Sequence, residues 1–414
     1  MPVRALVDKC SADLHYQRVG VDFFRRMNWF GAHRARVYLS LLATVNVVVV
    51  IFLVATSRHG VDRNGFLLGT DFLSFWTAGH MLEAGANPYD VAAHIAAQQR
   101  YFTAPHSYTA FFYPPTFLPL CAPLGWLPYF PALVAWLMAT GAGYLAVARL
   151  WLQALAVNWP LWLLALAFPP VVVTLSHGQT AFLVAALLGL GTLWVGPRPV
   201  LAGVCFGLAT IKPQFGLLVP LVLLITREWR VIVAAGATAA LLGLAATAAL
   251  GPHVWSDWLV VSREAQGVLE QGAVGFAKMA SPFAAARLLG WSIPLAYGVQ
   301  IVVAAGVASA LAWAGWRRPY TLALGAAMLA GAPLVTPFVL DYDLVLLAFP
   351  LIWLAGQTFR PWEKLIAGLA FIIALFARSA GEHLGAPLVP LVLIPLFAIL
   401  VARARGLGVD QVRV

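Results

Sequence analysis

Long apolar runs separated by short polar segments make up most of this chain. Several runs approach the roughly twenty residues that an α-helix needs to cross a bilayer. The runs are continuous rather than alternating, which is typical of spanning helices and not of a membrane β-barrel. The pattern predicts about twelve spans, at 37–56, 131–151, 160–176, 180–195, 199–211, 214–226, 231–250, 291–314, 319–337, 342–357, 364–378 and 386–402.

Two stretches that contain prolines are harder to assign as spans. The segment 116–128 is apolar but interrupted by prolines, and we interpret it as re-entrant or interfacial. The stretch 199–226 contains Lys212-Pro213, and proline breaks a helix because it lacks a backbone donor. Merging 199–226 into one span would invert everything downstream, so we predict a break at this pair.

Composition agrees with a membrane protein. The chain has 414 residues, of which 62% are hydrophobic and 10% charged, whereas soluble chains are about 25% charged. The predicted fold class is therefore an all-α, polytopic transmembrane helical bundle. The net charge of +10 is explained by orientation in the bilayer, because the basic residues fall between apolar runs, and it does not indicate a nucleic-acid partner.

The distribution of basic residues predicts the topology. Segment 1–36 contains seven Lys or Arg residues, which places it in the cytoplasm, and alternation of the spans then puts 18 of the 26 basic residues on that side. The chain is thus predicted to have one transmembrane domain at 37–403, outer loops at 57–115 and 251–290, and a cytoplasmic tail at 404–414. We expect a bacterial inner-membrane protein with both termini in the cytoplasm.

The first outer loop is the candidate catalytic segment. It holds four of the chain's 16 acidic residues, and we single out Asp71 among them. Apolar residues at helical spacing predict two short helices, 72–84 and 91–102, lying at the membrane surface. Asp71 and Asp90 would be their N-caps.

Other polar residues are predicted on the same outer side, where ionisable groups near the membrane are functional candidates. Each of these candidates, like Asp71, also has a purely structural explanation. Asp71 could serve only as a helix cap. The side chains of the 177–179 turn could serve only to hydrogen-bond the backbone of that turn, and the side chain of Lys212 could extend to the lipid headgroups. The acids of 341–343 could cap a helix, and the loop aromatics could be interfacial anchors. The candidates are His177, Gln179, Lys212, Gln214, Asp341 and Asp343.

Known motifs exclude some activities. The chain has no P-loop, no dinucleotide fingerprint and no HExxH, which argues against an ATP-driven pump or a soluble-nucleotide enzyme. His80, His94 and His106 are too widely spaced for a compact ligand motif. We therefore expect no metal-ligand motif and no cofactor, and the sequence does not decide whether the activity depends on a metal ion.

The residues of the first loop resemble a known family. The run TDFLSFWTAGHMLEAGANPYD, followed by FFYPPTFLPLCAPLGWLP, is similar to glycosyltransferase family 87. GQTAFL at 178–183, RPVLAGVCFGLATIKPQ at 198–214 and DYDLVLL at 341–347 also resemble it. The resemblance implies a polytopic GT-C enzyme that uses a polyprenyl-phosphate sugar, for which mannose is one candidate. The family's proposed catalytic base corresponds to Asp71.

One departure from the family pattern leaves the sugar open. Members often carry a histidine in a Ser-Pro-His, and here the run is Thr336-Pro337-Phe338.

The chemistry implied by the resemblance needs two kinds of group. A carboxylate takes the proton of the acceptor hydroxyl, and a cation stabilises the leaving phosphate. A base opposite the leaving group favours single displacement with inversion. We expect Asp71 as the base, Lys212 as the first phosphate-binding cation with Arg263 and Arg287 behind it, and Trp76, Tyr89, Tyr113, His177, Gln179, Gln214, Asp341 and Asp343 as substrate-binding residues.

The sequence thus favours a glycosyltransferase that transfers a hexose to a lipid or glycan acceptor at the extracytoplasmic face. The alternative is a non-enzymatic transporter or flippase of a lipid-linked sugar, which would share the many spans and broken helices. Such a protein more often shows repeated halves and charges at mid-membrane, and neither is visible here.

Overall fold

The computed structural model describes residues 21–103 and 108–406. Parts of the predicted segments 1–36, 57–115 and 404–414, together with His106, lie outside these residues. The described helices are α1 (Ala32–Thr56), α2 (Phe72–Glu83), α3 (Val91–Tyr101), α4 (Leu118–Gly125), α5 (Tyr129–Ala154), α6 (Leu161–Ala167), α7 (Pro169–His177), α8 (Ala181–Trp194), α9 (Pro199–Leu208), α10 (Leu218–Thr226), α11 (Trp229–Leu250), α12 (His253–Gln271), α13 (Pro282–Leu288), α14 (Ile293–Gly315), α15 (Leu322–Val335), α16 (Ala348–Ala355), α17 (Glu363–Leu384) and α18 (Leu388–Arg405).

Six of these helices are long and apolar enough to cross a membrane: α1, α5, α11, α14, α17 and α18. Each overlaps one of the predicted spans. Four further predicted spans correspond to shorter apolar stretches of 10–17 residues, which contain α8, α9, α10 and α15. The all-helical class holds for the part of the chain that the structure describes, where the β-type pairs are isolated bridges.

Two predicted spans are assembled from shorter pieces. The stretch 160–176 is divided into α6 and α7 at Phe168, immediately before Pro169 and Pro170. This division agrees with the preference of a residue before proline for an extended conformation. The stretch 342–357 begins as a 3-10 segment, Asp341–Leu347, and continues as α16.

The predicted break at Lys212-Pro213 is present. Helix α9 is followed by the 3-10 turn Ala209–Ile211, and Lys212 then leaves helical geometry with φ −135° and ψ 72°. A second 3-10 turn, Pro213–Gly216, leads into α10. Lys212 and Pro213 therefore lie at a break between two apolar helices, α9 and α10.

Helix α2 differs from the prediction of a helix at the membrane surface. Nine of its twelve residues are buried, among them Phe72, Phe75 and Trp76. A helix that is apolar on all sides belongs inside a protein, and α2 packs closely against α4. A Cβ atom added to Gly79 would lie 2.3 Å from the carbonyl oxygen of Cys121, and one added to Gly125 would lie 2.5 Å from the backbone of Gly79.

Helix α3 meets its prediction more closely. Asp90 caps it, with its carboxylate accepting a hydrogen bond of 3.0 Å from the backbone N–H of Ala93. The second predicted outer segment, 251–290, contains the 19-residue helix α12, whose existence the sequence analysis did not predict. The 3-10 turn Phe276–Lys278 and α13 follow it.

Candidate functional site

A cavity of about 860 Å³ opens where the first loop, the end of α7, the break between α9 and α10, and α12 meet. It collects most of the polar residues singled out from the sequence. Those that line it are Asp71, Tyr113, His177, Gln179, Lys212, Gln214 and Asp341.

Asp71 is held at this cavity by its backbone. Its N–H donates a 3.0 Å hydrogen bond to the carbonyl of His177, and the N–H of Gly69 does the same to Ser176. The first loop is thereby tied to the end of α7. Asp71 precedes α2, but its side chain makes no capping hydrogen bond. The carboxylate is therefore available for another role.

Gln179 orients that carboxylate. Its side-chain Nε2 donates a 2.7 Å hydrogen bond to Oδ2 of Asp71. The other end of the amide, Oε1, accepts hydrogen bonds from the hydroxyl of Tyr113 at 2.9 Å and from the backbone N–H of Thr180 at 3.0 Å. Since both of these partners donate, the oxygen of Gln179 faces them and its NH₂ group faces Asp71.

Tyr113 is suited to its part in this chain of hydrogen bonds. Burial raises the pKa of Tyr113 well above its ordinary range, so its hydroxyl keeps its proton and can donate. The hydroxyl of Thr180 lies 2.9 Å from it. The chain from Thr180 through Tyr113 and Gln179 to Asp71 is buried for most of its length, and buried networks with satisfied members are rigid.

Lys212 is engaged inside the protein. Its Nζ lies 2.5 Å from Oδ1 of Asp343, in an ion pair whose side chains are 6% and 2% exposed. It also lies 5.1 Å from the ring centroid of Tyr342 and 5.2 Å from that of Phe215. The second oxygen of Asp343 accepts a 3.1 Å hydrogen bond from the N–H of Leu340. Asp343 itself does not line the cavity, so its contacts fix Lys212 and the start of the 3-10 segment.

Asp341 and His177 lie on the cavity wall next to this pair. Burial raises the pKa of Asp341, and the nearby His177, Arg378 and Lys278 oppose the shift. The ring of His177 lies 5.8 Å from that of Tyr342, and its Nδ1 is 2.9 Å from the carbonyl of Val173. That bond fixes the ring and leaves Nε2 as the other polar atom of the side chain.

Besides Asp343, four predicted site residues lie away from the cavity wall. Trp76 donates from Nε1 to the carbonyl of Leu127 at 2.8 Å, and Tyr89 donates to the carbonyl of Tyr113 at the same distance. Both are buried structural contacts. Arg263 and Arg287 are also absent from the lining, and Arg287 donates from Nη1 to the carbonyl of Trp291 at 2.6 Å. Trp76 and Tyr89 share the first loop with Asp71, but their side chains do not face the cavity.

Several lining residues were missed by the sequence analysis. Lys278 and Arg378 add two cations to the wall, and α12 contributes Trp258, Ser262 and Gln266 at a spacing of four residues. The spacing of these three residues, together with the strongly amphipathic character of α12, was a usable signal. In the part of the chain that the structure describes, no group of three or more His, Cys, Asp or Glu side chains is placed to hold a metal ion.

Comparison with known proteins identifies a family. The model of glycosyltransferase family 87 matches residues 111–339, which is more than half of the chain. Searches of curated proteins and of solved structures gave no match. The match includes Tyr113, Gln179 and Lys212, and it begins after Asp71.

Proposed function

We propose that this chain, which belongs to glycosyltransferase family 87, transfers a hexose from a polyprenyl-phosphate sugar to a lipid or glycan acceptor. The transfer takes place at the extracytoplasmic face of a bacterial inner membrane, in a GT-C bundle of about twelve spans with both termini in the cytoplasm. Mannose is one candidate for the sugar. The observation that carries the proposal is the carboxylate of Asp71, oriented by Gln179 at the wall of a cavity that also carries cations.

Asp71 acts as the general base in this proposal. The amide of Gln179 holds Oδ2, and Oδ1 accepts no hydrogen bond from the described residues, so it is free to accept the hydroxyl of the acceptor. The acceptor oxygen attacks C1 of the sugar, the bond from C1 to the phosphate oxygen breaks, and the proton passes to Asp71. A single displacement of this kind inverts the anomeric centre.

The cavity has the surfaces that a lipid-linked donor requires. Leu53 of α1 lines it, and only 11% of the spanning window of α1 is buried within the protein. A polyprenyl tail leaving beside α1 would remain in the hydrocarbon of the bilayer. The side chains of α12, with the indole of Trp258 and the amide of Gln266, offer apolar and polar contacts for a sugar.

A transfer assay tests this function directly. Purified protein in nanodiscs would receive radiolabelled polyprenyl-phosphate mannose or polyprenyl-phosphate glucose with a membrane-lipid extract. We expect label to move to a new product with one of the two donors. If the folded protein moves no label but carries the lipid-linked sugar across liposome membranes, the transporter alternative is correct and the proposal is wrong.

A further inference from the structure

The cavity of Asp71 is also lined by two cations, Lys278 and Arg378. The proposed mechanism gives neither of them a role. Lys278 ends the 3-10 turn Phe276–Lys278, and Arg378 lies in α17. With Lys212, they are the Lys and Arg side chains found among the lining residues. Lys212 is already paired with Asp343, which leaves Lys278 and Arg378 as the cations able to meet a ligand.

The backbone fixes Lys278 close to the polar end of the cavity. Met279 forms a β-bridge with Leu340, and the N–H of Ala280 donates a 2.9 Å hydrogen bond to the carbonyl of Val339. These contacts set Lys278 beside the segment that begins at Asp341.

Helix α17 brings Arg378 to the same place. A Cβ atom added to Gly381 would lie 2.8 Å from Cβ of Ala277, so the helix approaches the 3-10 turn very closely at this glycine. Arg378 precedes Gly381 by three residues and therefore lies on the same face of α17. Both side chains line the same cavity, and the charge of Arg378 acts on Lys278.

Lys278 is placed at an electrostatic cost. None of the ion pairs in the ranges 21–103 and 108–406 includes Lys278, and its Nζ lies 5.8 Å from the ring centroid of Phe66. Burial lowers the pKa of Lys278, and the charge of Arg378 lowers it further, while Asp341, Asp71 and Glu382 act in the opposite direction. A half-buried ammonium beside a second cation is a recognised mark of a functional site.

Arg378 has hydrogen-bond donors that are available to a ligand. Its Nε donates a 3.0 Å hydrogen bond to Oε1 of Glu382, in a pair that is 41% and 46% exposed. Within the described residues, its two Nη nitrogens have no acceptor at hydrogen-bonding distance. A guanidinium with its Nη groups unengaged can bind two oxygens of one phosphate.

We infer that Lys278 and Arg378 bind the phosphate of the polyprenyl-phosphate donor, in place of the predicted Lys212, Arg263 and Arg287. This inference rests on the proposed function. Breakage of the bond from C1 to oxygen leaves the electron pair on the phosphate, which changes from a diester with one charge to a monoester that carries up to two. Two cations next to that oxygen stabilise the second charge as it forms, which favours the transition state over the bound donor.

Binding of polyprenyl phosphate without its sugar tests this assignment. The probe would be radiolabelled polyprenyl phosphate, measured with wild type, Lys278→Met, Arg378→Gln and Lys278→Arg in nanodiscs of phosphatidylcholine. We expect each charge-removing variant to bind about tenfold to a hundredfold more weakly, as for the loss of a hydrogen bond to a charged group. Lys278→Arg should recover most of the affinity, and uncharged polyprenol should not discriminate among the variants.

Lys364→Met provides the matched control. Lys364 belongs to the first turn of α17, about 21 Å along the helix from Arg378 at a rise of 1.5 Å per residue. Wild-type affinity is expected for this variant. The inference is wrong if Lys278→Met and Arg378→Gln bind the probe as tightly as wild type, or if Lys364→Met weakens it as much.

Two further arms separate related explanations. Phosphatidylglycerol in the nanodisc should not displace the probe at equal concentration; equal displacement would mean a general lipid-headgroup site and would overturn the inference. Transfer assays separate it from the proposed function. If wild type transfers sugar and Lys278→Met does so with an unchanged kcat and an unchanged KM for the donor, the inference fails and the function stands. If wild type transfers no sugar yet binds the probe through Lys278, the phosphate assignment stands and the function fails.

Discussion

The amide of Gln179 donates a 2.7 Å hydrogen bond to the carboxylate of Asp71, across 108 positions of sequence. This contact joins the first outer loop to the turn after α7. The carboxylate of Asp71 directly precedes α2 but does not cap it. It is held instead by the side chain of Gln179 and faces the cavity. The proposed mechanism depends on this orientation.

Replacing Gln179 should therefore slow transfer without weakening donor binding. In Gln179→Leu, Asp71 loses its oriented donor, and we expect kcat to fall about tenfold to a hundredfold while the KM for the donor stays close to wild type. Steady-state transfer kinetics measure both. Gln300→Leu is the control, because Gln300 is a buried amide that donates to Leu334 away from the cavity. An equal fall in its kcat would show that the effect comes from lost stability.

Lys212 should prove more important for stability than for phosphate binding. Lys212→Met leaves the carboxylate of Asp343 buried without its partner, and breaking a buried pair in this way costs about 3–5 kcal/mol. The double variant Lys212→Met with Asp343→Asn should regain part of that loss, because asparagine still accepts from Leu340. Thermal unfolding in nanodiscs compares the three proteins. A double variant less stable than Lys212→Met would contradict this account of the pair.

Unlike Lys212, Lys278 should reduce the stability of the folded protein, so that its replacement raises the Tm. Its pKa is lowered in the folded protein, so between that value and about 10.4 the unfolded chain binds more protons, and stability rises with pH. Lys278→Met removes the penalised charge. We expect a higher Tm than wild type at pH 7, with the difference shrinking as the pH rises towards 10. A lower Tm at pH 7 would show that the ammonium is stabilised by contacts in the folded state.

The close contact between α2 and α4 should not tolerate a methyl group. Gly79→Ala would place Cβ 2.3 Å from a backbone oxygen of Cys121, and overpacking of this kind costs about 1–3 kcal/mol. Gly143→Ala is the matched control, since Gly143 lies in α5 with nothing within 4 Å of the added atom. The measurement is the Tm of both variants. Gly79→Ala with the Tm of Gly143→Ala would mean that the two helices are not packed as described.

Hydropathy predicted the long helices because each of them is a continuous apolar run. It also located the break at Lys212, where a proline directly follows a charged residue. Short helices were harder, because α6 and α7 form one apolar run in the sequence and are separated only by the geometry at Phe168. Helix α2 was misplaced at the surface because an apolar helix has the same composition in either position.

The site residues likewise fall into those that the sequence revealed and those that only the structure revealed. Asp71, Gln179 and Lys212 were found as rare polar residues near apolar segments, and three-dimensional packing was needed to show which of them touch. Trp76 and Tyr89 belong to the same loop as Asp71, but their side chains point into the protein core. Lys278 and Arg378 were missed as site residues because their significance lies in the approach of α17 to the 3-10 turn, which no local pattern encodes.

The role of Asp71 as the base is the central claim, and one comparison tests it most directly. Single-turnover transfer would be measured for wild type, Asp71→Asn and Asp90→Asn, each with the active donor bound at saturation. Asp90 is the control, because it is an acid of the same loop that caps α3 and asparagine is an equally good cap. The account predicts a loss of about a hundredfold to ten-thousandfold for Asp71→Asn alone, with donor binding retained. Transfer by folded Asp71→Asn at the wild-type rate would contradict it.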